Sequence, residues 1–368
     1  MKYRKLSHLY QLQFAEFYGI IKGMNINILN FTKDELASFL TASGEPKYRA
    51  GQIFTWLHRG VDFRDMSDIS KKTRDALSAE CYIDLPEITE KYISPSDGTI
   101  KYLFRLRDGE YIEAVFMRYK HGNSLCLSSQ AGCRMGCKFC ASTLSGLSRN
   151  LQPSEMLGQI IAAQNDTGER ISNLVIMGIG EPLDNYDNVI KFLRIVNEEG
   201  GLNIGYRHIS LSTCGIVEKI YRLADEDMPV TLSVSLHAVT DDDRSAVMPI
   251  NNKWGIHELL QACADYFKHT GRRISFEYAL ISGVNDTPYH AKKLAEILKS
   301  ALPGIPFHVN LIPVNEVAEC PFKRGTPASV TDFTNRLKSQ KINTTVRRRL
   351  GSDINASCGQ LRKLKKIK

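Results

Sequence analysis

Leu174-Val-Ile-Met-Gly-Ile-Gly-Glu-Pro-Leu183 is a short apolar run that stops on a glycine-rich turn, the pattern of a buried strand handing over to a loop at its C-terminal end. Runs of the same kind recur at His208 to Ser212, Thr231 to Leu236, Ile274 to Ala279 and Val309 to Ile312, and helical patterns fill the intervals, for instance Ser154 to Gln164 and Ile256 to Phe267. Strand and helix repeated this often predict an α/β fold with a parallel sheet, and the regular spacing suits a partial or full β/α barrel. Active-site residues are then expected at the C-terminal ends of the strands.

Upstream the pattern differs. Lys101 to Leu106 and Tyr111 to Met117 alternate with period two around Asp108-Gly109, which predicts a hairpin. Before Pro86 the chain reads as a small helical module. Thr32-Lys-Asp-Glu35 forms a capping box ahead of Leu36, Phe39 and Leu40, and Gly44 closes that helix. A second helix begins near Pro46 and buries Ile53, Phe54 and Leu57, and a third lies near residues 70 to 80. Residues 1–23 are basic and aromatic without periodicity, and Met24 after them is a candidate start. The chain thus divides into an extension over 1–23, a helical domain over 24–90, the strand and helix repeat with its hairpin over 91–350, and a C-terminal segment over 351–368.

With 368 residues and 43% hydrophobic content, the chain suffices for a large core and a smaller domain. No stretch approaches the roughly 20 apolar residues of a membrane helix, and the first 25 residues lack a signal-peptide pattern, so a cytoplasmic protein without membrane association is expected. A net charge of +8 favours phosphate-rich partners, weakly when taken alone. Nine cysteines, an odd count with three of them inside Cys133 to Cys140, argue against a secreted disulfide framework and for metal or redox chemistry.

Cys133-Arg-Met-Gly-Cys137-Lys-Phe-Cys140 spaces its thiols C-x3-C-x2-C. Such a loop wraps one face of a cubane cluster and leaves the fourth iron open. The same thiols also suit a structural zinc completed by a distant ligand such as His121 or another cysteine. Among the remaining cysteines, Cys81, Cys214, Cys263 and Cys320 read as inert core residues. Cys358 stands in Ser-Cys-Gly-Gln within a polar, basic tail, a poor core segment. Cys126 lies in a predicted strand over Ser124 to Ser129 between Leu125 and Leu127, compatible with burial or with pointing into a site.

The cysteine spacing, with an aromatic residue just before the last thiol, resembles the radical S-adenosylmethionine superfamily, and Gly178-Ile-Gly180-Glu181-Pro182 resembles its Gly-Glu-Pro segment. Ser128-Ser-Gln-Ala-Gly-Cys133, Met177 to Leu183, Leu211-Ser-Thr213, Ser235-Leu-His237, Met248-Pro-Ile250, Val309 to Pro313 and Cys358-Gly-Gln360 narrow the resemblance, over about Phe31 to Leu361, to bacterial radical methyltransferases that modify adenine in ribosomal RNA. Glu-Pro-Leu after the glycines is similar to the housekeeping adenine-C2 branch; the antibiotic-resistance C8 branch tends to carry Ala in place of that Pro. Asn355 and Ser357 depart from the family, which more often has Asp and Ala there.

The resemblance implies a partial TIM-like radical S-adenosylmethionine barrel with a small N-terminal helical domain that helps bind RNA. It implies a [4Fe-4S] cluster on Cys133, Cys137 and Cys140, and S-adenosylmethionine, two per turnover, held by Gly180, Glu181, Ser212, Ser235, Leu236, His237 and Asn315. Cys358 would be the methyl carrier, Cys126 the second thiol, which releases the RNA adduct through a transient disulfide, and Glu113 the proton acceptor. Implied partners are 23S rRNA, at the peptidyl-transferase-centre adenine, tRNA, at the adenine just 3′ of certain anticodons, and a reductant such as flavodoxin or ferredoxin; a monomer is expected. The chemical need is clear, since adenine C2 has no nucleophilic lone pair for a polar methyl transfer. Lys47-Tyr-Arg49, His58-Arg59, Arg347-Arg-Arg349 and the tail Arg362 to Lys368 are candidate phosphate contacts, each also readable as a solvated charged face. A competing reading from another class is a non-catalytic RNA-binding protein with a structural metal loop.

Overall fold

The structure, a computed structural model, describes residues 25–362. The expectations for the extension 1–23, for Met24 and for the tail beyond Arg362 lie outside the described residues. The chain forms two compact units. Among the described residues, one holds 25–87 together with Gln152–Glu169 and Asp187–Gly205; the other holds Ile88–Leu151, Arg170–Tyr186 and 206–362.

In the first unit β1 (Ile26–Asn27) pairs in parallel with β2 (Cys81–Tyr82). Around them lie α1 (Lys33–Ala42), α2 (Arg49–Leu57) and α3 (Lys71–Glu80). The Thr32 capping box forms: Glu35 N donates to Thr32 Oγ1 at 3.2 Å and Thr32 N to Glu35 Oε2 at 2.8 Å. Gly44 follows at φ +82°, where a left-handed residue ends a helix. The unit is not contiguous, because α4 (Pro153–Thr167) and most of α5 (Tyr186–Asn197) belong to it. Specific contacts draw them in. Lys191 pairs with Glu35 at 2.8 Å, Ser154 N donates to Asn30 Oδ1 at 2.9 Å, and Gly60 packs so tightly on Ile161 that no side chain fits there.

The second unit contains a ten-stranded sheet. Its strands are β3 (Glu87–Ile93), β4 (Ile100–Arg105), β5 (Tyr111–Met117), β6 (Asn123–Cys126), β9 (Ile171–Ile176), β10 (Ile209–Thr213), β11 (Thr231–Ser235), β12 (Ile274–Leu280), β13 (Phe307–Pro313) and β14 (Thr344–Val346). A separate antiparallel pair, β7 (Gln130–Gly132) and β8 (Leu147–Asn150), lies between β6 and β9 in sequence. The order β14-β13-β12-β11-β10-β9-β6-β5-β4-β3 is parallel from β14 to β6, and β4, β5 and β6 pair antiparallel. Helices α6 (Val217–Ala224), α7 (Asp241–Val247), α8 (Ile256–Thr270), α9 (Pro288–Ala301) and α10 (Pro327–Ser339) follow the successive parallel strands from β10 onward. The sheet order has two ends, β14 and β3, which makes the barrel partial.

The strands looked like plain apolar runs, yet they alternate. Leu232, Val234, Phe276, Tyr278, Val309 and Leu311 are fully buried on one face. The other face carries polar groups in register: Ser233 pairs with Ser275, Ser235 with Glu277, and Glu277 with Asn310. Side chains on alternate positions point to opposite faces, so the apolar set makes the core and the polar set lines the inside of the sheet. Asn310 Nδ2 donates to Glu277 Oε2 at 2.8 Å, and Ser210 and Ser233 share a hydrogen bond at 3.0 Å.

Candidate active site

The C-terminal ends of these strands open on one cavity. It is lined by Cys133, Cys137 and Cys140, by Gly180, Glu181, Ser212, Ser235, His237 and Asn315, and by Cys358. The cysteine loop springs from the β7–β8 pair, where Cys133 N donates to Gly146 O at 3.1 Å. Gly136, at φ +74°, turns the chain between the first two thiols. Cys140 N then donates to Cys137 O at 3.1 Å, and Thr143 Oγ1 donates to the carbonyls of Cys137 and Cys140. Burial pushes the free Cys133 thiol up to about 12 and raises Cys137 and Cys140 as well. Thiolates in this pocket therefore need a compensating metal charge. Among the described residues no three His, Cys, Asp or Glu side chains crowd together as they would around a single ion.

The Gly-Ile-Gly-Glu-Pro turn owes its glycines to close approach. A Cβ on Gly178 would stand 2.6 Å from Leu127 O, and one on Gly180, at φ +111°, 2.6 Å from Gln130 Cβ. The turn can then dock on the segment after β6, with Ile179 N donating to Ser128 Oγ and Glu181 N to Gln130 Oε1, both at 2.9 Å. Glu181 is buried and its carboxylate accepts from Cys214 N at 2.7 Å and Leu183 N at 3.0 Å. Burial raises its pKa against the opposing pull of those amides. Both oxygens are thereby held in place at the cavity wall.

Ser212, next to the last residue of β10, and Ser235, the last of β11, face the cavity, as expected near strand ends. His237 follows at φ +59°, its Nδ1 accepting from Ala279 N at 2.9 Å and its ring edge-on to Phe139 at 4.9 Å. Burial, helped by Arg244, lowers its pKa to about 3. The ring is neutral, and because Nδ1 accepts, Nε2 carries the proton. Leu236 is fully buried and stands apart from the cavity lining; its carbonyl accepts from Arg244. Asn315 donates through Nδ2 to Cys358 O at 3.0 Å, while its Oδ1 is buried without a hydrogen-bond partner among the described residues.

A second cavity adjoins the first, since Met177, Ile312, Asn315 and Cys358 line both. Cys126, the last residue of β6, lies on its wall. Of the two orientations open to Cys126, the structure selects the one that faces Cys358, with Leu125 and Leu127 buried on the other face. Burial, with Cys358 beside it, pushes Cys126 up to about 12. Cys358 sits in a turn closed by Gln360 N on Ser357 O at 3.0 Å, with Gly359 at φ +81°. Its Sγ is 3.8 Å from Met177 Sδ. Asn355 occupies a left-handed position, φ +52°, which Asn tolerates better than most residues, and Ser357 donates to Leu350 O. All nine cysteines are free, so the Cys126–Cys358 disulfide anticipated as a transient species is not a bond of this structure.

Glu113 is buried on β5, on the same face as Val115 and Met117, which line the second cavity, but it is not itself in the lining. Lys101 Nζ lies 3.0 Å from its Oε1, and Arg362 N donates to Oε2 at 2.8 Å. Burial raises its pKa despite that cation.

Several residues stand elsewhere than their sequence suggested. Cys214, read as inert core, lines the first cavity and positions Glu181. Arg347, read as a phosphate contact, turns inward. Its side chain is 25% exposed, its Nη1 lies 3.4 Å from Glu277 Oε2 and 2.8 Å from Met177 Sδ, and it lines the second cavity. His58, another candidate phosphate contact, is buried with Nδ1 on Phe54 O at 2.8 Å, and burial lowers its pKa to about 4, so it offers no charge. Arg59 lies over the Trp56 ring. Met177, Glu277 and Arg347 were missed as site residues. Only Met177 had a signal, its place at the mouth of the glycine turn.

Comparison with known proteins agrees with this geometry. Residues 127–295 match the radical SAM superfamily, and residues 26–83 match the ribosomal RNA large subunit methyltransferase N-terminal domain. A probable dual-specificity RNA methyltransferase RlmN of Clostridium novyi is 53% identical over 92% of this chain and 98% of its own length. That of Clostridium perfringens strain 13 is 55% identical over 92% and 96%. The chain belongs to the RlmN family. A solved radical SAM methyltransferase from Sphaerobacter thermophilus, 42% identical, superposes with a TM-score of 0.86 over 91% of this chain and 99% of that one.

Family membership sets aside the zinc and non-catalytic readings. It brings a [4Fe-4S] cluster and S-adenosylmethionine, used twice per turnover. The cavity suits both groups. Three thiols face it from one loop, Oδ1 of Asn315, without a partner among the described residues, offers an acceptor, and Glu181 holds a fixed carboxylate at the wall. Among the described residues no helix is long and apolar enough to cross a membrane.

Proposed function

We propose that this chain methylates C2 of adenine in RNA, at the peptidyl-transferase-centre adenine of 23S rRNA and at the adenine just 3′ of certain tRNA anticodons. The observation that carries the reading is the position of Cys358, which lines both the cavity of the three-cysteine loop and the cavity of Cys126. A thiol between two chambers suits a group that is charged with methyl on one side and unloaded on the other.

Bound in the first cavity, the cluster and S-adenosylmethionine supply the methyl group and the radical chemistry that carbon C2 requires. Cys133, Cys137 and Cys140 hold the cluster; Gly180, Glu181, Ser212, Ser235, His237 and Asn315 hold the methyl donor. Asn315 also fixes the backbone of Cys358, so the residue that receives the methyl group is oriented by one that faces its donor. Leu236 contributes through its backbone. Once the sulfur-bound methylene carbon of Cys358 has formed its carbon–carbon bond to C2, and the odd electron of the ring has passed back to the iron–sulfur group, Glu113 or a thiol takes the C2 proton. Cys126 then attacks Cys358 sulfur, the bond from that sulfur to the methylene carbon breaks with its electron pair going to the carbon, the carbon takes a proton to become the methyl group, and a disulfide is left for an external thiol to reduce. The target base must leave its stack to arrive there. A low-potential carrier such as flavodoxin or ferredoxin supplies the electron, and the protein works as a cytoplasmic monomer.

C2 rather than C8 rests on Pro182, which lines the first cavity. Mass spectrometry of nucleosides from RNA treated with purified enzyme is expected to give 2-methyladenosine. Mainly 8-methyladenosine would move the chain to the resistance branch.

A further inference from the structure

Beside the thiol cavity lies charge that the fold leaves unpaired. Arg348 and Arg349 line it and are exposed. Arg324 stands close enough to Arg349 that burial and this neighbouring charge together lower its guanidinium. None of the three guanidiniums pairs with a carboxylate among the described residues, although Arg324 donates through its backbone N to Glu316 Oε1 at 3.4 Å, whereas those of Arg134, Arg149 and Arg336 hold Asp184, Asp108 and Asp332. Gathering like charges without counter-ions costs folding stability, and an anionic partner removes the cost. The same cavity is lined by Tyr119, whose ring stacks on His121 at 5.1 Å and 18°. His121 is exposed, and Tyr119 feels the charge of Arg348.

Phosphate-binding guanidiniums next to a flat aromatic pair are the means by which proteins hold single-stranded nucleic acid. A base drawn toward Cys358 leaves its neighbours without a stacking partner, and the aromatic pair replaces it. We propose that the mouth of the Cys126 and Cys358 cavity, with Arg324, Arg348, Arg349 and the Tyr119–His121 pair, is the docking surface for the unpaired RNA segment that flanks the target adenine. This rests on the RNA methyltransferase reading and names where that RNA is held.

The test is equilibrium binding of the cluster-loaded full chain to an unmodified 23S rRNA fragment carrying the peptidyl-transferase-centre adenine, across a potassium chloride series. The triple variant Arg324→Gln, Arg348→Gln, Arg349→Gln is expected to weaken binding and to flatten the dependence of log affinity on log salt by about two. A control of equal charge change, Lys268→Gln, Lys292→Gln, Lys299→Gln, is expected to leave the slope nearly unaltered. His121→Ala is expected to weaken binding about fivefold without altering the slope. Melting curves and cluster absorbance establish that the variants are folded. Equal losses in both triple variants, or none in the first, overturn the surface while leaving the methyltransferase reading intact. Wild-type protein that neither binds nor methylates the fragment overturns both.

Discussion

Two loops meet at the first cavity and are held by opposite means. The loop Cys133 to Cys140 is shaped mainly by local contacts, by Gly136 at positive φ, by its own Cys137–Cys140 turn and by the nearby Thr143, with Arg134 on Asp184 and Lys138 N on Val247 O as its ties to distant sequence. The loop Gly351 to Leu361 is held from far away in sequence. Ser94 donates to Asp353 across a separation of 259 residues, Asp97 accepts from Gly351 N, and Ser142 donates to Leu361 O. At its end Glu113 accepts from Arg362 N, and at its centre Asn315 holds Cys358 O. A loop built mainly from local contacts keeps much of its form when one distant tie is lost. A loop held by separate long-range bonds, each worth about 1 kcal/mol net, is placed by the whole fold and is loosened piece by piece.

The sharpest way to separate the two loops is to remove one thiol from each. Cys137→Ala is expected to abolish iron loading and S-adenosylmethionine cleavage together. Cys358→Ala is expected to keep the cluster absorbance at about 400 nm and the cleavage, and to lose all methyl transfer to protein and RNA. Normal cleavage by Cys137→Ala protein would contradict the cluster assignment.

Cys126→Ala probes the far side of the second loop. Cys358 can still be loaded and can still attack RNA, but no thiol remains to release the adduct. The protein is expected to accumulate in a covalent RNA complex, seen as a nuclease-sensitive shift on a denaturing gel. Normal turnover would remove Cys126 from the reaction.

A smaller effect is expected from Gly180→Ala, which places a Cβ against Gln130 at a backbone conformation that Ala disfavours. It should cost about 1–3 kcal/mol, read as a lowered Tm, with weakened S-adenosylmethionine binding by calorimetry. An unchanged Tm would show that the turn can move away from the segment after β6.

The smallest effect tests the long-range fastening itself. Ser94→Ala removes the donor to Asp353 and is expected to cost about 1 kcal/mol. Hydrogen exchange should quicken over Gly351 to Leu361 and stay unaltered over Cys133 to Cys140. Equal quickening in both loops would mean that they open as one.

The parallel strands, the hairpin and the helices with their caps were legible in the sequence because each rests on short-range physics. Thr32 and Glu35 reach each other's amides within one turn, Arg107-Asp108-Gly109 reverses the chain between Leu106 and Glu110, and the three thiols are fixed by their own spacing. Motif order over the chain pointed to Cys133, Cys137, Cys140, Gly180, Glu181 and Cys358, which line the first cavity, but not to Cys214 or Glu277, which line it too. Tertiary structure alone decided the rest. It turned Arg347 inward to Glu277 and buried His58, because a guanidinium or imidazole in an isolated basic run carries no mark of the carboxylate or helix that will cover it. It made Cys214 a positioning residue through its backbone amide, which no side-chain pattern encodes. It also brought Cys126, Met177 and Cys358 to one cavity, a meeting of three distant segments that depends on strand order and register rather than on the composition of any one of them.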